Sequence, residues 1–181
     1  MYKRQVLPEG ADASKYSVKT SVWNPNGQKL TEQTIPLSQI KYNDNSLSQE
    51  FIIQTPTLWS PDMPALYSAE TRLYEGDQLK DIYTTPFGIR SIEIIPNKGF
   101  FLNGEKTVFK GVCNHHDLGP LGAAVNDAAI RRQIRILKDM GCNAIRTSHN
   151  MPAPELVRAC DEMGMICLLY TSPSPRDRSV S

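Results

Sequence analysis

From Thr107 to Met165 the chain alternates twice between short β-branched, apolar runs and longer stretches with helical spacing, and this alternation restricts the fold more than any other feature. Thr107–Cys113 reads as a strand that runs into a polar cluster of Asn114, His115, His116 and Asp117. Asn126 or Asp127 can cap a helix whose apolar positions Ile130, Ile134, Leu137 and Met140 recur at spacings of three and four, with Gly141 as its stop. Asn143–Thr147 is a second strand, ending in Ser148, His149 and Asn150. Pro154, in a first turn beside Glu155, opens a second helix with Leu156, Cys160 and Met163 on one face and Gly164 at its end.

A strand, a helix and a further strand imply two parallel strands joined by a right-handed crossover. The clusters His115/His116/Asp117 and Arg146/Ser148/His149 then lie at or just past the carboxyl ends of adjacent strands. Barrels and open α/β sheets hold their ligands there.

The first half follows a period of two. Tyr16, Val18, Thr20 and Val22 alternate with polar residues, and Asn24-Pro25-Asn26-Gly27 makes a turn. Further strands are expected at Gln28–Ile35, Ser48–Gln54, Leu66–Tyr74 and Leu79–Thr85, with Glu75-Gly76-Asp77 as a hairpin loop. This spacing suits an antiparallel sandwich, which in the immunoglobulin-like case has about seven strands. About five precede the change of pattern, so the opening strands are expected to be missing.

Several segments carry a family resemblance. FFLNGEKTVFKGVCNHHDLGPLGAAV, NAIRTSH and PELVRACDEMGM resemble the start of the catalytic barrel of glycoside hydrolase family two, the β-galactosidase and β-glucuronidase family. LWSPDMPALY and FGIRSIEI resemble the end of that family's immunoglobulin-like domain and its junction with the barrel. The resemblance spans Tyr16 to Ile166. It implies a multidomain β plus α/β fold: a truncated immunoglobulin-like β-sandwich over residues 6–95, then the first two βα units of a (β/α)₈ TIM barrel over 96–166. Residues 1–5 (MYKRQ) and 167–171 (CLLYT) can be encoded by nearly reverse-complementary strings, which resembles a transposase-derived sequencing adapter, and 167–181 read as its tail. Lys3 and Arg4 contribute two positive charges and Arg176, Asp177 and Arg178 one net, so the formal +1 becomes −2 without these ends. No basic patch argues for nucleic acid, and no apolar run approaches the ~20 residues of a membrane-spanning helix. Localisation stays open. Cys113, Cys142 and Cys160 show no CxxC spacing and read as buried free thiols.

Glycoside hydrolysis generally needs two carboxyl groups about 5 Å apart for retention and roughly 6.5–9.5 Å apart for inversion. Asp117 is the one acid expected at a strand's carboxyl end; Asp127, Asp139, Glu155, Asp161 and Glu162 fall on or near helix ends. The resemblance implies that the acid/base and nucleophile glutamates come from later barrel strands, so no catalytic residue is assigned here. It likewise implies that the divalent cation often used by the family's β-galactosidases draws its ligands mostly from outside this stretch, leaving no cofactor and no metal site here. His115 matches the His of the family's usual Asn-Arg-His-Glu motif, here Cys113-Asn114-His115-His116, and Arg146 and His149 match Arg-x-Ser-His. The resemblance places these three, with Asn114 and Asp117, around the sugar ring.

Plainer readings stand beside these. The His-His-Asp run can be an incidental polar loop or, less simply, a metal site; His149 can bridge loops; Arg146 can pair with a barrel carboxylate rather than with sugar. Trp59 and Pro61 can stack on sugar, or Trp59 can plug a domain edge. The expectation is a retaining β-galactosidase with a carbohydrate substrate, the rivals being a β-glucuronidase, a β-mannosidase or a non-catalytic carbohydrate-binding module. A homo-oligomeric parent is compatible with the resemblance.

Overall fold

The computed structural model describes residues 12–39, 47–115, 117–148 and 151–169. His116, His149, Asn150 and the segments read as adapter-derived at residues 1–5 and 170–181 lie outside the described residues. The chain divides into two compact units, one of residues 1–56 and 66–87, the other of residues 57–65 and 88–181.

The first unit contains one antiparallel sheet of β1 (Tyr16–Trp23), β2 (Lys29–Pro36), β3 (Tyr67–Glu75) and β4 (Gln78–Phe87), in the order β2-β1-β3-β4. Alternation puts Val18, Val22, Ile35, Leu73 and Tyr83 on one face and Lys19, Ser21, Glu32 and Arg72 on the other. On the polar face Lys19 and Ser21 reach Glu32 at 2.7 Å each, and with Lys29 they hold its carboxyl down to about 2. The Asn24 side chain shapes the β1–β2 turn by accepting from the backbone N–H groups of Asn26 and Gln28, and Gly27 supplies the positive φ of 77°. The strand expected at Ser48–Gln54 does not form, and Ile52 stands 83% exposed. Its run of Ser, Gln and Glu around three apolar residues gives no continuous face to pack. Among the described residues this unit therefore presents one sheet of four strands and no second sandwich layer.

The second unit opens with a small antiparallel sheet, β5 (Ile92–Ile95), β6 (Gly99–Leu102) and β7 (Glu105–Lys106). Its β6–β7 turn is Asn103-Gly104, both at positive φ (54° and 82°), as a two-residue turn matching strand twist requires. Next come β8 (Gly111–Asn114), α1 (Asp127–Asp139), β9 (Ala144–Thr147), α2 (Pro154–Met163) and β10 (Ile166–Leu169). β8, β9 and β10 form a parallel sheet in the order β10-β9-β8. The first strand is shorter than Thr107–Cys113; besides the Asn143 and Ala144 N–H groups on the Lys110 carbonyl, the backbone before it meets the side chain of Asn143. Its Oδ1 accepts from Lys110 N–H at 2.8 Å and its Nδ2 donates to Val108 C=O at 2.9 Å. Only glycine fits at position 111, since a Cβ there would lie 1.8 Å from the Ala144 carbonyl oxygen.

The core of this unit joins Ile130, Ile134 (0% exposed) and Leu137 of α1 to Ile145 of β9, Ala159 and Cys160 of α2, and Met165. Met140, expected on this face, is 70% exposed because it caps α1, after the last helical turn. Three of the β10 residues belong to the stretch read as adapter-derived; an apolar run of any origin satisfies a parallel ladder, which is held by backbone groups. Asn126 caps α1 by accepting from Ala129 N–H at 3.0 Å. Asn126→Ala is expected to lower stability by about 1 kcal/mol, read as a fall in the unfolding midpoint. An unchanged midpoint would show the cap to be dispensable.

Candidate functional site at the carboxyl ends of the parallel strands

Strand alternation sorts the candidate residues onto two faces. Val112, Asn114, Ile145 and Thr147 point toward the helices, and Cys113 and Arg146, paired in register, point to the opposite, inward face. Arg146 Nη1 approaches Cys113 Sγ at 3.5 Å. Cys113, expected to be buried, is exposed, and so is Arg146; among the described residues three parallel strands leave the inward face without an opposing wall. Cys142 is half-buried, Cys160 is buried, and all three are free thiols. The hydrogen bond with Cys167, and after it burial in the apolar core, push the Cys160 thiol above its usual range.

The side chain of Asn114, expected toward sugar, turns instead to α1. Its Nδ2 donates to Gln133 Oε1 at 3.0 Å while Gln133 Nε2 donates to Asn114 Oδ1 at 3.2 Å. Its backbone carbonyl accepts from both the N–H (3.0 Å) and the hydroxyl (3.3 Å) of Ser148. Asp117 is exposed, and its Oδ1 accepts from Gly119 N–H at 2.9 Å, a local turn that occupies one carboxylate oxygen. His115 is exposed just past the end of β8. His149 lies outside the described residues.

A cavity of about 50 Å³ opens at these strand ends, with Asn114, His115, Gln133, Thr147 and Ser148 as its polar wall and Ile130, Leu156 and Met151 among its apolar lining. His115 and Asn114 share it; Arg146 and Asp117 are not part of its wall. Gln133 was missed in the sequence, where an isolated amide on a helix carries no periodic signal.

Away from the strand ends, α1 and α2 are tied by ion pairs. Arg131 binds Asp127 and Glu162, and Arg158 reaches Asp127 at 3.1 Å. The two guanidinium groups, Arg131 first, hold the Asp127 carboxyl below its ordinary range. That engages Asp127 in structure. Among the described residues no three His, Cys, Asp or Glu side chains gather as metal ligands, and no helix is long and apolar enough to cross a membrane.

Trp59 is 2% exposed. Its Nε1 donates to the Asp161 carbonyl at 2.8 Å, its carbonyl accepts from Asn103 Nδ2 at 3.0 Å, and the Arg90 guanidinium lies 4.9 Å from its ring centre. Neither ring face is left open for a sugar.

Two family profiles match the chain, described as "Glycosyl hydrolases family 2" over residues 5–90 and "Glycosyl hydrolases family 2, TIM barrel domain" over residues 93–171. The beta-galactosidase BoGH2A of Bacteroides ovatus is 52% identical over 152 residues, covering 84% of this chain and 18% of that protein. A beta-glucuronidase of Streptococcus agalactiae is 38% identical over 111 residues, covering 61% of this chain and 18% of that protein. A crystal structure of a beta-glycosidase from Bacteroides vulgatus superposes with a TM-score of 0.74 at 37% identity, over 87% of this chain and 20% of that one. The chain thus spans about a fifth of the length of these relatives.

Proposed function

Because this chain belongs to glycosyl hydrolase family 2, we propose that it is the barrel-opening part of a retaining β-glycosidase that hydrolyses terminal β-D-galactosides. The higher identity to a protein named beta-galactosidase, 52% against 42% for one named putative beta-glucuronidase and 38% for one named beta-glucuronidase, supports the choice of sugar. A β-glucuronide is the second reading, favoured by those two relatives. His115 and Arg146, with His149, donate hydrogen bonds to ring hydroxyls. Asn114, whose side-chain amide is paired with Gln133, acts at one remove, and Asp117 has one carboxylate oxygen engaged by the Gly119 N–H. The proton transfers and nucleophilic attack fall to carboxylates that this chain does not carry.

In the full-length protein, His115→Ala should remove hydrogen bonds worth about 1–3 kcal/mol. That is roughly a ten- to hundredfold loss of kcat/KM on an aryl β-galactoside, with the melting temperature unchanged. Faster turnover of the matching aryl β-glucuronide by the unsubstituted protein would reassign the sugar. No turnover of either would leave the binding-module reading, and an unaltered His115→Ala rate would remove that residue from the site.

A further inference from the structure

Three residues form one line from the helix layer across two strand ends. Gln133 of α1 and Asn114 at the end of β8 exchange two amide hydrogen bonds, and the Asn114 carbonyl takes both donors of Ser148, just past the end of β9. Each part is held from behind: Gln133 precedes the fully buried Ile134, and Ser148 is 5% exposed. The ends of this line adjoin the proposed sugar contacts. His115 follows Asn114, and Arg146 stands two residues before Ser148.

We propose that Gln133 is a positioning residue for the sugar site: by holding Asn114, and through its carbonyl Ser148, it makes helix α1 set the spacing between His115 and Arg146. This rests on the reading of these strand ends as a sugar-binding surface. Neutral primary amides both donate and accept, so the pair satisfies both groups at once without a buried charge. A carboxylate at 133 accepts but cannot donate and keeps one of the two bonds. An arginine at 114 donates but cannot accept. The pair therefore fixes both residue types together. It also orients the Asn114 peptide so that its carbonyl meets Ser148, where a rotated peptide would leave two donors of a buried serine without a partner.

The test uses the full-length protein with Gln133→Ala, Gln133→Glu, Asn114→Ala and the double alanine variant. Gln133→Ala is expected to lower kcat/KM on an aryl β-galactoside about tenfold well below the melting temperature. Gln133→Glu should fall between it and the unsubstituted protein. The double variant should lose no more than the worse single one, since residues acting through one another are not additive. Hydrogen–deuterium exchange supplies a readout independent of turnover. Protection of the Ser148 amide should drop about tenfold in Gln133→Ala while the amides of α1 keep theirs. Unchanged protection at Ser148, or losses that add in the double variant, would overturn the proposal; if Gln133→Ala does not fold, the same measurements on Gln133→Glu decide it. Where the unsubstituted protein cleaves neither a galactoside nor a glucuronide, the sugar-site reading fails and exchange alone judges whether Gln133 holds Ser148.

Discussion

The purified 181-residue chain should leave an aryl β-galactoside uncleaved. Retaining hydrolysis needs an acid/base and a nucleophile about 5 Å apart across the scissile bond. The acids of the second unit are committed elsewhere or placed away from the strand ends. Asp127 is paired with two arginines, Glu162 with Arg131, and Glu155 lies in the first turn of α2. Among the described residues of the second unit Asp117 is the acid near a parallel strand's carboxyl end, with one oxygen on Gly119 N–H, and a lone carboxylate cannot serve as both groups. Since the two act as a unit, removing either normally removes most of the rate. Turnover by the chain above that of a mock preparation would show that a second carboxylate is present and that the site has been misplaced.

Replacing Trp59 by alanine should be among the most damaging single changes to stability. A buried tryptophan cut to alanine costs about 3–5 kcal/mol, roughly a 6–20 °C fall in midpoint for 150–250 residues. Here the indole also donates to Asp161 and lies beside Arg90, while Gly88 packs against it so closely that a Cβ there would come within 3.0 Å. Trp59→Phe keeps an aromatic ring and loses the donor, so it should cost about 1 kcal/mol from the hydrogen bond. Both variants should bind a soluble oligosaccharide as the parent does. Weakened sugar binding at an unchanged midpoint would restore the stacking role and sink the structural one.

Where side chains repeat, the fold could be read before any coordinates. α1 was legible because Ile130, Ile134 and Leu137 share one face and Asn126 and Gly141 bracket it. β1 to β4 were legible from alternation, to within a residue or two at each end. The small sheet β5–β7 is not among the strands expected from the sequence, although Asn103-Gly104 is among the strongest short hairpin signals. Thr107–Lys110 failed in the other direction: its composition is that of a strand, but its Lys110 N–H and Val108 C=O are met by the Asn143 side chain instead of a regular ladder. At the strand ends, motif matching proposes His115 and Arg146 but cannot say which way Asn114 turns. That direction is decided by Gln133, whose pairing depends on tertiary placement rather than on local pattern.

The segment Thr57–Ala65 belongs to the second unit, while the β3–β4 hairpin that follows it belongs to the first. The chain thus changes unit three times, and no single cut separates the two. Order of synthesis becomes part of the problem. Trp59 precedes its acceptor Asp161 by 102 residues, so at ~5–20 residues per second the indole waits roughly 5–20 s for the carbonyl that receives its proton. The first unit can assemble in that time with Thr57–Ala65 held out of it, and the second can finish only after its earliest piece has stayed uncommitted through the making of the hairpin.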